Sequence, residues 1–206
     1  MEQTLNKAAE HHRDYIGAKM GMWLFLFTEF ILFGGMFLLY AVYRFNYPED
    51  FHAAAKELDT TIGAVNTLVL LTSSLTMALS IVAMQKGKKQ LSLVLQVLTI
   101  LLGAVFLANK YVEWGAKIHH GIYPDSQYLL SKSKGTIIFY GLYFIMTGLH
   151  GLHVIIGIGI FLFMMVFTLR GSVNAENIIK LENSGLYWHF VDIVWVYLFP
   201  LFYLIT

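Results

Sequence analysis

Five long apolar stretches dominate the sequence and restrict what it can fold into. Each is about 20 residues or longer, the length that an α-helix needs to cross the hydrocarbon core of a bilayer. Backbone polar groups in lipid must be hydrogen bonded within the chain, so these stretches predict helices. The predicted spans cover about residues 19–43, 62–84, 91–113, 136–169 and 184–205. The sequence therefore predicts an all-α membrane protein: one transmembrane domain, residues 1–206, forming a bundle of five helices.

Composition supports a membrane protein and excludes several functions. The 206 residues are 57% apolar and only 13% charged, whereas soluble domains are roughly 25% charged. A net charge of +1 without basic clusters of the kind that bind phosphates gives no indication of nucleic acid binding. The chain contains no cysteine. This absence excludes disulfides, Fe–S clusters, c-type haem attachment and blue-copper sites on this chain.

Charge bias predicts the orientation of the bundle. One side, formed by the tail and two loops, carries eight Lys or Arg residues: Lys7, Arg13, Lys19, Lys86, Lys88, Lys89, Arg170 and Lys180. The opposite side carries six: Arg44, Lys56, Lys110, Lys117, Lys132 and Lys134. We therefore expect the N-terminus inside and the C-terminus outside. The polar tail, residues 1–18, lacks the apolar core of a cleaved secretory signal and is interpreted as a cytoplasmic, interfacial helix.

Polar residues within the predicted spans are the candidate functional residues, because such residues are costly in lipid. They are Glu29, His150, His153, His189 and Asp192. His150 and His153 share a helix face, as do His189 and Asp192. Two interpretations stay open: a metal site, since His and carboxylates are good ligands, or a hydrogen-bonded cluster that packs helices together. Glu29 is either a proton-relay carboxyl group or a packing residue.

Other residues point to structure. Lys110 and Glu113 are spaced to form an ion pair that we expect to snorkel to the outer interface. Small residues predict close helix packing, and they are Thr147, Gly148, Gly151, Gly157 and Gly159, with Gly34 and Gly35 in the first span. Trp23, Trp114 and Trp188 lie near predicted span ends, as an aromatic belt would place them. The polar segments hold four histidines that we expect to be solvated: His11, His12, His119 and His120.

Ordered motifs along nearly the whole chain resemble subunit III of the haem–copper terminal oxidases, the cytochrome c oxidase subunit III family. They are Gly21 to Glu29, Asn66-Thr67, Lys110 to Trp114, Thr147 to His153 and Tyr187 to Trp195. In relatives the third motif usually has Gln and Tyr at the positions of Lys110 and Trp114. The chain resembles a short form of the family with five helices instead of seven; in some relatives the two missing helices are fused to the catalytic subunit.

The resemblance implies a non-catalytic subunit of a proton-pumping cytochrome c oxidase in a bacterial-type inner membrane. It implies oxidase subunits I and II as partners, with haem and copper held there. On this chain it implies no cofactor, no catalytic residue and no metal, but a contact with phospholipid. The family's reactive glutamate maps to Glu29, which implies a part in proton uptake. Beside this resemblance, His150 and His153 are interpreted as hydrogen-bonding residues of a packed helix.

Alternatives remain. Subunit III of a quinol oxidase and the related accessory protein of nitric oxide reductase would share this fold. A stand-alone metal or proton transporter would instead use Glu29, His150, His153 and Asp192, and a scaffold would use none of them.

Overall fold

The computed structural model describes the backbone of residues 2–175 and 177–205 and the side chains of residues 15–175 and 177–205. Within them the chain forms seven α-helices. These are α1 (Glu2–Asn46), α2 (Pro48–Ala55), α3 (Thr60–Gln85), α4 (Lys89–His119), α5 (Gln127–Leu130), α6 (Lys134–Leu169) and α7 (Ile179–Tyr203). Five of them, α1, α3, α4, α6 and α7, are long and apolar enough to cross a membrane. The prediction of an all-α protein with five spans is confirmed, while the sidedness of its termini stays a prediction.

The helix bounds differ from the predicted spans mainly at polar ends. Helix α1 contains the polar tail from Glu2 onward as well as the first apolar span, and it ends at Asn46. The side chains of residues 1–14, including His11 and His12, lie outside the described residues. Helix α4 continues to His119, beyond the predicted end at residue 113. Two short helices, α2 and α5, lie in the connections between the predicted spans.

Local sequence explains where several helices begin and end. The side chain of Asp59 accepts hydrogen bonds from the first amides of α3, and the Ser133 hydroxyl does the same for α6. Such caps satisfy donors that have no partner inside the helix. After α3 and α6 the backbone reverses at Gly87 (φ 70°) and Gly171 (φ 78°). Only glycine adopts this left-handed conformation without steric strain.

The core of the bundle lies around α6 and α7. Helix α7 packs against α3, α6 and α1, and α6 also packs against α4 and α2. Half of the apolar window of α7 is buried inside the protein, against 11% for α1. Helix α1 therefore presents most of its surface outward. Trp188 is completely buried, and its indole N–H donates to the Ser73 hydroxyl at 3.0 Å, so its assignment to an aromatic belt was wrong.

Some of the small residues allow close helix packing as predicted. A Cβ atom at Gly157 would come within 2.7 Å of the Trp188 ring, and one at Gly148 would be 3.0 Å from the Trp114 ring. Gly157 is therefore required by the side chain that fills the centre of the bundle. The prediction was wrong for Gly34, Gly35 and Gly159, where an added Cβ atom meets nothing within 4 Å.

A buried ladder of hydroxyl groups joins α3 to α4. Thr76 and Thr99 share a hydrogen bond of 2.7 Å, and Ser80 and Ser92 share one of 3.0 Å. The short hairpin between these helices brings the two series of small polar residues opposite each other. In lipid, such interhelical bonds each contribute about 0.6 kcal/mol on average.

Candidate functional site

Glu29 of α1 and His153 of α6 form a pair inside the membrane-spanning region. Their Oε2 and Nε2 atoms lie 3.0 Å apart, and the two side chains are 16% and 9% exposed. The pair lies near the middle of both long helices, as the sequence placed it. The structure therefore unites two of the five candidate residues and gives each a specific partner.

The hydrogen bond made by the second ring nitrogen of His153, Nδ1, determines how many protons the Glu29–His153 pair carries. His153 Nδ1 lies 2.8 Å from the Leu149 carbonyl oxygen, which can only accept a hydrogen bond, so Nδ1 carries a proton. The hydrogen bond between Nε2 and Glu29 Oε2 then needs one further proton. It lies either on the carboxyl group, which donates to Nε2, or on the imidazolium, which donates to Oε2. In both cases the pair holds one exchangeable proton.

Aromatic side chains hold His153 in this position. The Tyr187 ring stacks on the imidazole with ring centroids 6.4 Å apart, and the Phe33 ring meets it edge-on at 5.3 Å. The Tyr187 hydroxyl also donates to the His153 backbone carbonyl at 3.1 Å. These contacts restrict the ring orientation and keep Nε2 directed at Glu29.

The pair opens onto a groove between α1, α6 and α7. The groove has a volume of about 460 Å³. It is lined by Met22, Phe25, Glu29, His153, Ile156, Ile160, Asn183, Ser184 and Tyr187. Asn183 and Ser184 lie in the first turns of α7. The groove thus extends from the proton-holding pair toward the end of the bundle at which α7 begins.

Polar contacts join α1 to α7 at the end of the bundle where α7 begins. Lys19 Nζ lies 2.9 Å from Glu182 Oε2, and the Tyr15 hydroxyl donates to the same oxygen at 3.4 Å. The Asn183 amide donates to the Ala18 carbonyl at 3.1 Å. Exposed ion pairs of this kind contribute little stability, so their main effect is to set the position of α1 beside the groove.

His189 and Asp192 contact a different helix. His189 Nδ1 lies 2.6 Å from the Ser74 hydroxyl of α3, and the same serine interacts with the buried Asp192 carboxyl group. Within the described residues neither Asp192 oxygen has a hydrogen bond of standard geometry. These residues join α7 to α3 and are separate from the Glu29–His153 pair.

His150 lies in a third environment, within the aromatic core. Its ring is completely buried, 5.4 Å from the Phe106 ring and 5.4 Å from the Trp195 ring. Neither ring nitrogen has a hydrogen-bond partner within the described residues. His150 is therefore a packing residue in this structure, although it shares the α6 motif with His153.

The predicted ion pair between Lys110 and Glu113 forms, with Lys110 Nζ 3.1 Å from Glu113 Oε2. The prediction that it snorkels to the interface was wrong, because the two residues are only 7% and 5% exposed. Helix α4 continues past them, and α6 and α7 cover them. Tyr143 and Tyr203 complete the cluster: each accepts a hydrogen bond from Lys110, and each hydroxyl donates to Glu113 Oε1.

Sequence reasoning missed the tyrosines of this cluster and of its surroundings. Tyr143 and Tyr203 were hidden among other aromatic residues of the apolar spans, and only their depth relative to Lys110 would have indicated them. The Tyr140 hydroxyl similarly donates to Glu57 at 2.5 Å, and the Tyr40 hydroxyl donates to the Leu201 carbonyl. Tyrosine suits these positions because its ring is apolar while its hydroxyl satisfies a buried polar group.

The five candidate residues therefore lie in three environments and do not converge on one centre. In the part of the chain that the structure describes, no group of three or more His, Asp or Glu side chains is placed to hold a metal ion. The fold and the site define a multi-pass helical membrane protein with a carboxyl–imidazole pair inside its membrane-spanning region.

Comparison with known proteins identifies the family. The sequence profile described as "Cytochrome c oxidase subunit III" matches residues 2–206, so the chain belongs to the cytochrome c oxidase subunit III family, the third subunits of haem–copper oxidases. A "Probable quinol oxidase subunit 3" from Staphylococcus haemolyticus is 34% identical over 189 residues, covering 91% of this chain and 88% of that protein. A "Cytochrome c oxidase subunit 3" from Thermostichus vulcanus is 31% identical over 199 residues, covering 96% and 91%.

A third relative, "Cytochrome c oxidase subunit 3" from Alkalihalophilus pseudofirmus, is 33% identical over 185 residues, covering 90% of this chain and 85% of that protein. Relatives of both names thus match nearly the full chain at similar identity. The chain is a subunit of a terminal oxidase complex and has other oxidase subunits as partners.

Proposed function

We propose that this chain is the non-catalytic subunit III of a proton-pumping haem–copper oxidase, and that it supports proton uptake by its catalytic subunit. The observation that carries the proposal is the Glu29–His153 pair, which holds one exchangeable proton beside an open groove. A carboxyl group and an imidazole can each take up and release a proton, so the pair can hand it on without moving a helix. Its role is to supply protons, while oxygen reduction takes place elsewhere in the complex.

The proposed partners are catalytic subunit I and subunit II, which hold the haem and copper, while this chain binds no cofactor. Only 11% of the apolar window of α1 is buried within the chain, which supports packing of that helix against another subunit. The proposed location is the plasma membrane of a bacterium, in line with the bacterial relatives. We also propose that a phospholipid occupies the groove beside Glu29, whose lining is mostly apolar.

The electron donor is either cytochrome c or a quinol. The quinol alternative is favoured by a relative named "Probable quinol oxidase subunit 3" at 34% identity, and the cytochrome c alternative by relatives named "Cytochrome c oxidase subunit 3" at 33% and 31%. Oxygen consumption by the purified complex with reduced cytochrome c or with a quinol as the donor separates the two.

Purification of the tagged chain in a mild detergent tests the assembly. We expect a haem- and copper-containing subunit to co-purify, and its absorbance spectrum identifies the haem types. Recovery of the chain alone from membranes that contain an active oxidase would contradict the proposal.

The substitution Glu29→Gln tests the proton-supply role. The amide of glutamine can still donate to His153 Nε2, so the helix contact is preserved while the exchangeable proton is lost. We expect the complex to assemble and to start turnover at a near-normal rate, but to lose activity faster during turnover. Glu49→Gln, at an exposed acid in the first turn of α2, is the matched control and should decay as the wild type does. Equal decay of the Glu29→Gln variant and the wild type would reject the role.

A further inference from the structure

Exposed cations from two loops meet at one end of the bundle, where α3 and α6 end and α4 and α7 begin. They are Lys86, Lys88, Lys89, Arg170 and Lys180, which together we call the basic surface. All five are exposed. They come from parts of the sequence about 80 residues apart, as the hydrogen bond between Lys89 and Leu169 shows (|i−j| = 80), so only the fold brings them together.

The two loops are held against each other by contacts of the cations themselves. Lys89 Nζ donates to the Leu169 carbonyl at the end of α6, with a distance of 3.1 Å. Lys180 Nζ lies over the Phe167 ring, 5.2 Å from its centroid. The cations are therefore kept at a common surface even though like charges repel each other.

In the part of the chain that the structure describes, no acid pairs with the basic surface. None of its five cations forms an ion pair within the described residues, where the ion pairs are Lys19–Glu182, Lys110–Glu113 and His153–Glu29. Glu182, at the same end, is engaged by Lys19. The sequence adds Glu176 in the second loop and, in the tail at the same end, three acids (Glu2, Glu10 and Asp14) and two cations (Lys7 and Arg13). The side chains of these residues lie outside the described residues.

The opposite end of the bundle is balanced. It carries five cations, Arg44, Lys56, Lys117, Lys132 and Lys134, and five acids, Glu49, Asp50, Glu57, Asp59 and Asp125. The positive charge is therefore concentrated at one end, and a surface of this kind attracts anions over a distance of about one Debye length, roughly 8 Å at physiological ionic strength.

The helix ends contribute no net potential at this surface, because α4 and α7 begin here while α3 and α6 end here. The N-cap of α4 is Lys88 and that of α7 is Ile178, and neither side chain caps its helix. Lys88 and Lys89 lie at the positive end of the α4 dipole, where a cation is locally unfavourable. An external anion would offset this repulsion.

Exposed apolar side chains lie directly beyond the basic surface on the same helices. They include Leu91 and Val94 near the start of α4 and Phe163 and Val166 near the end of α6, exposed by 48%, 63%, 67% and 42%. A cationic surface next to exposed apolar side chains matches the structure of a phospholipid. Its phosphate is attached to the glycerol that carries the acyl chains, so the anionic and apolar parts of the lipid are adjacent.

We propose that the basic surface binds the headgroups of anionic glycerophospholipids in the leaflet at this end of the bundle. The acyl chains then pack on the exposed side chains of α4 and α6. This site differs from the groove beside Glu29, which lies between α1, α6 and α7. The proposal does not depend on the proton-supply role.

The test uses the full chain in its oxidase complex, in nanodiscs that contain phosphatidylcholine and phosphatidylglycerol. Native mass spectrometry measures how many phosphatidylglycerol molecules stay bound, at increasing salt. The triple variant Lys86→Gln, Lys88→Gln, Lys180→Gln should weaken retention about fivefold per lysine, since each cation near an anionic surface is worth about 1 kcal/mol. Wild-type retention should also fall as salt rises.

The matched control is Lys56→Gln, Lys132→Gln, Lys134→Gln, which removes the same charge from the opposite end and should retain phosphatidylglycerol as the wild type does. Equal losses in the two triple variants, or wild-type retention that is insensitive to salt, would overturn the proposal. So would a basic-surface variant that keeps its lipid but loses its partner subunits, because the surface would then bind protein. The salt titration of the wild type needs no variant, so salt-insensitive retention overturns the proposal even if the triple variant does not fold.

Discussion

Lys110→Met is the substitution whose effect the structure defines best. Methionine is unbranched and only one heavy atom shorter than lysine, but it has neither the charge nor the donors. It deletes the hydrogen bonds from Lys110 Nζ to Glu113 (3.1 Å), Tyr143 (3.1 Å) and Tyr203 (2.9 Å). It also leaves Glu113 buried without a cation.

Two estimates bracket the loss of stability. Hydrogen bonds in membrane proteins contribute about 0.6 kcal/mol each on average, so the three bonds set a lower bound of about 2 kcal/mol. Removal of one partner from a buried ion pair costs about 3–5 kcal/mol, because the remaining charge is uncompensated. Tyr143 and Tyr203 still donate to Glu113, at 2.7 Å and 2.5 Å, which favours the low end of this range. We expect a loss of about 3 kcal/mol.

Reversible unfolding of the chain in mixed micelles of dodecyl maltoside and dodecyl sulphate, followed by tryptophan fluorescence, measures this loss. The double variant Lys110→Met, Glu113→Gln leaves no buried charge and should lose only about 2 kcal/mol, the contribution of the three hydrogen bonds alone. Lys134→Met, at an exposed lysine without an ion pair in the described residues, is the control and should change stability by less than about 0.5 kcal/mol. A double variant that loses as much stability as Lys110→Met would refute the argument from an uncompensated charge.

Two further predictions concern the packing around Trp188. Gly157→Leu should destabilise the chain by about 1–3 kcal/mol or prevent assembly, because its Cβ atom alone would lie 2.7 Å from the Trp188 ring. Gly159→Leu, with nothing within 4 Å of the added Cβ atom, should be neutral, and equal thermal stability of the two variants would contradict the packing described. Trp188→Phe removes the hydrogen bond to Ser73 as well as ring volume, and should lower the unfolding midpoint more than Ser73→Ala, which leaves the ring in place.

The fold was largely predictable because the bilayer restricts it. A run of about 20 apolar residues has only one regular conformation that satisfies its backbone in lipid, the α-helix. Errors in the predicted helix bounds therefore fell at polar ends, such as residues 114–119 of α4, where the hydropathy decreases before the helix ends. Trp188 was misplaced for a related reason: position along a span does not tell which face of the helix is buried.

The candidate site was predictable as residues but not as contacts. Glu29 and His153 were both identified as intramembrane polar residues, yet their spacing on separate helices gave no reason to pair them with each other. His150 and His153 share a face by sequence, but one lies in the aromatic core and the other reaches α1.

The sequence by itself determined that this chain crosses a membrane five times as α-helices, and its motifs determined the family. Both follow from local properties, since hydropathy, length and residue order are read along one segment at a time. The tertiary structure alone decided which polar residues meet: Glu29 with His153, Ser74 with His189, and Lys110 with two tyrosines. Those pairings depend on the rotation and depth of each helix against its neighbours, and these are set by the packing of residues far apart in the chain.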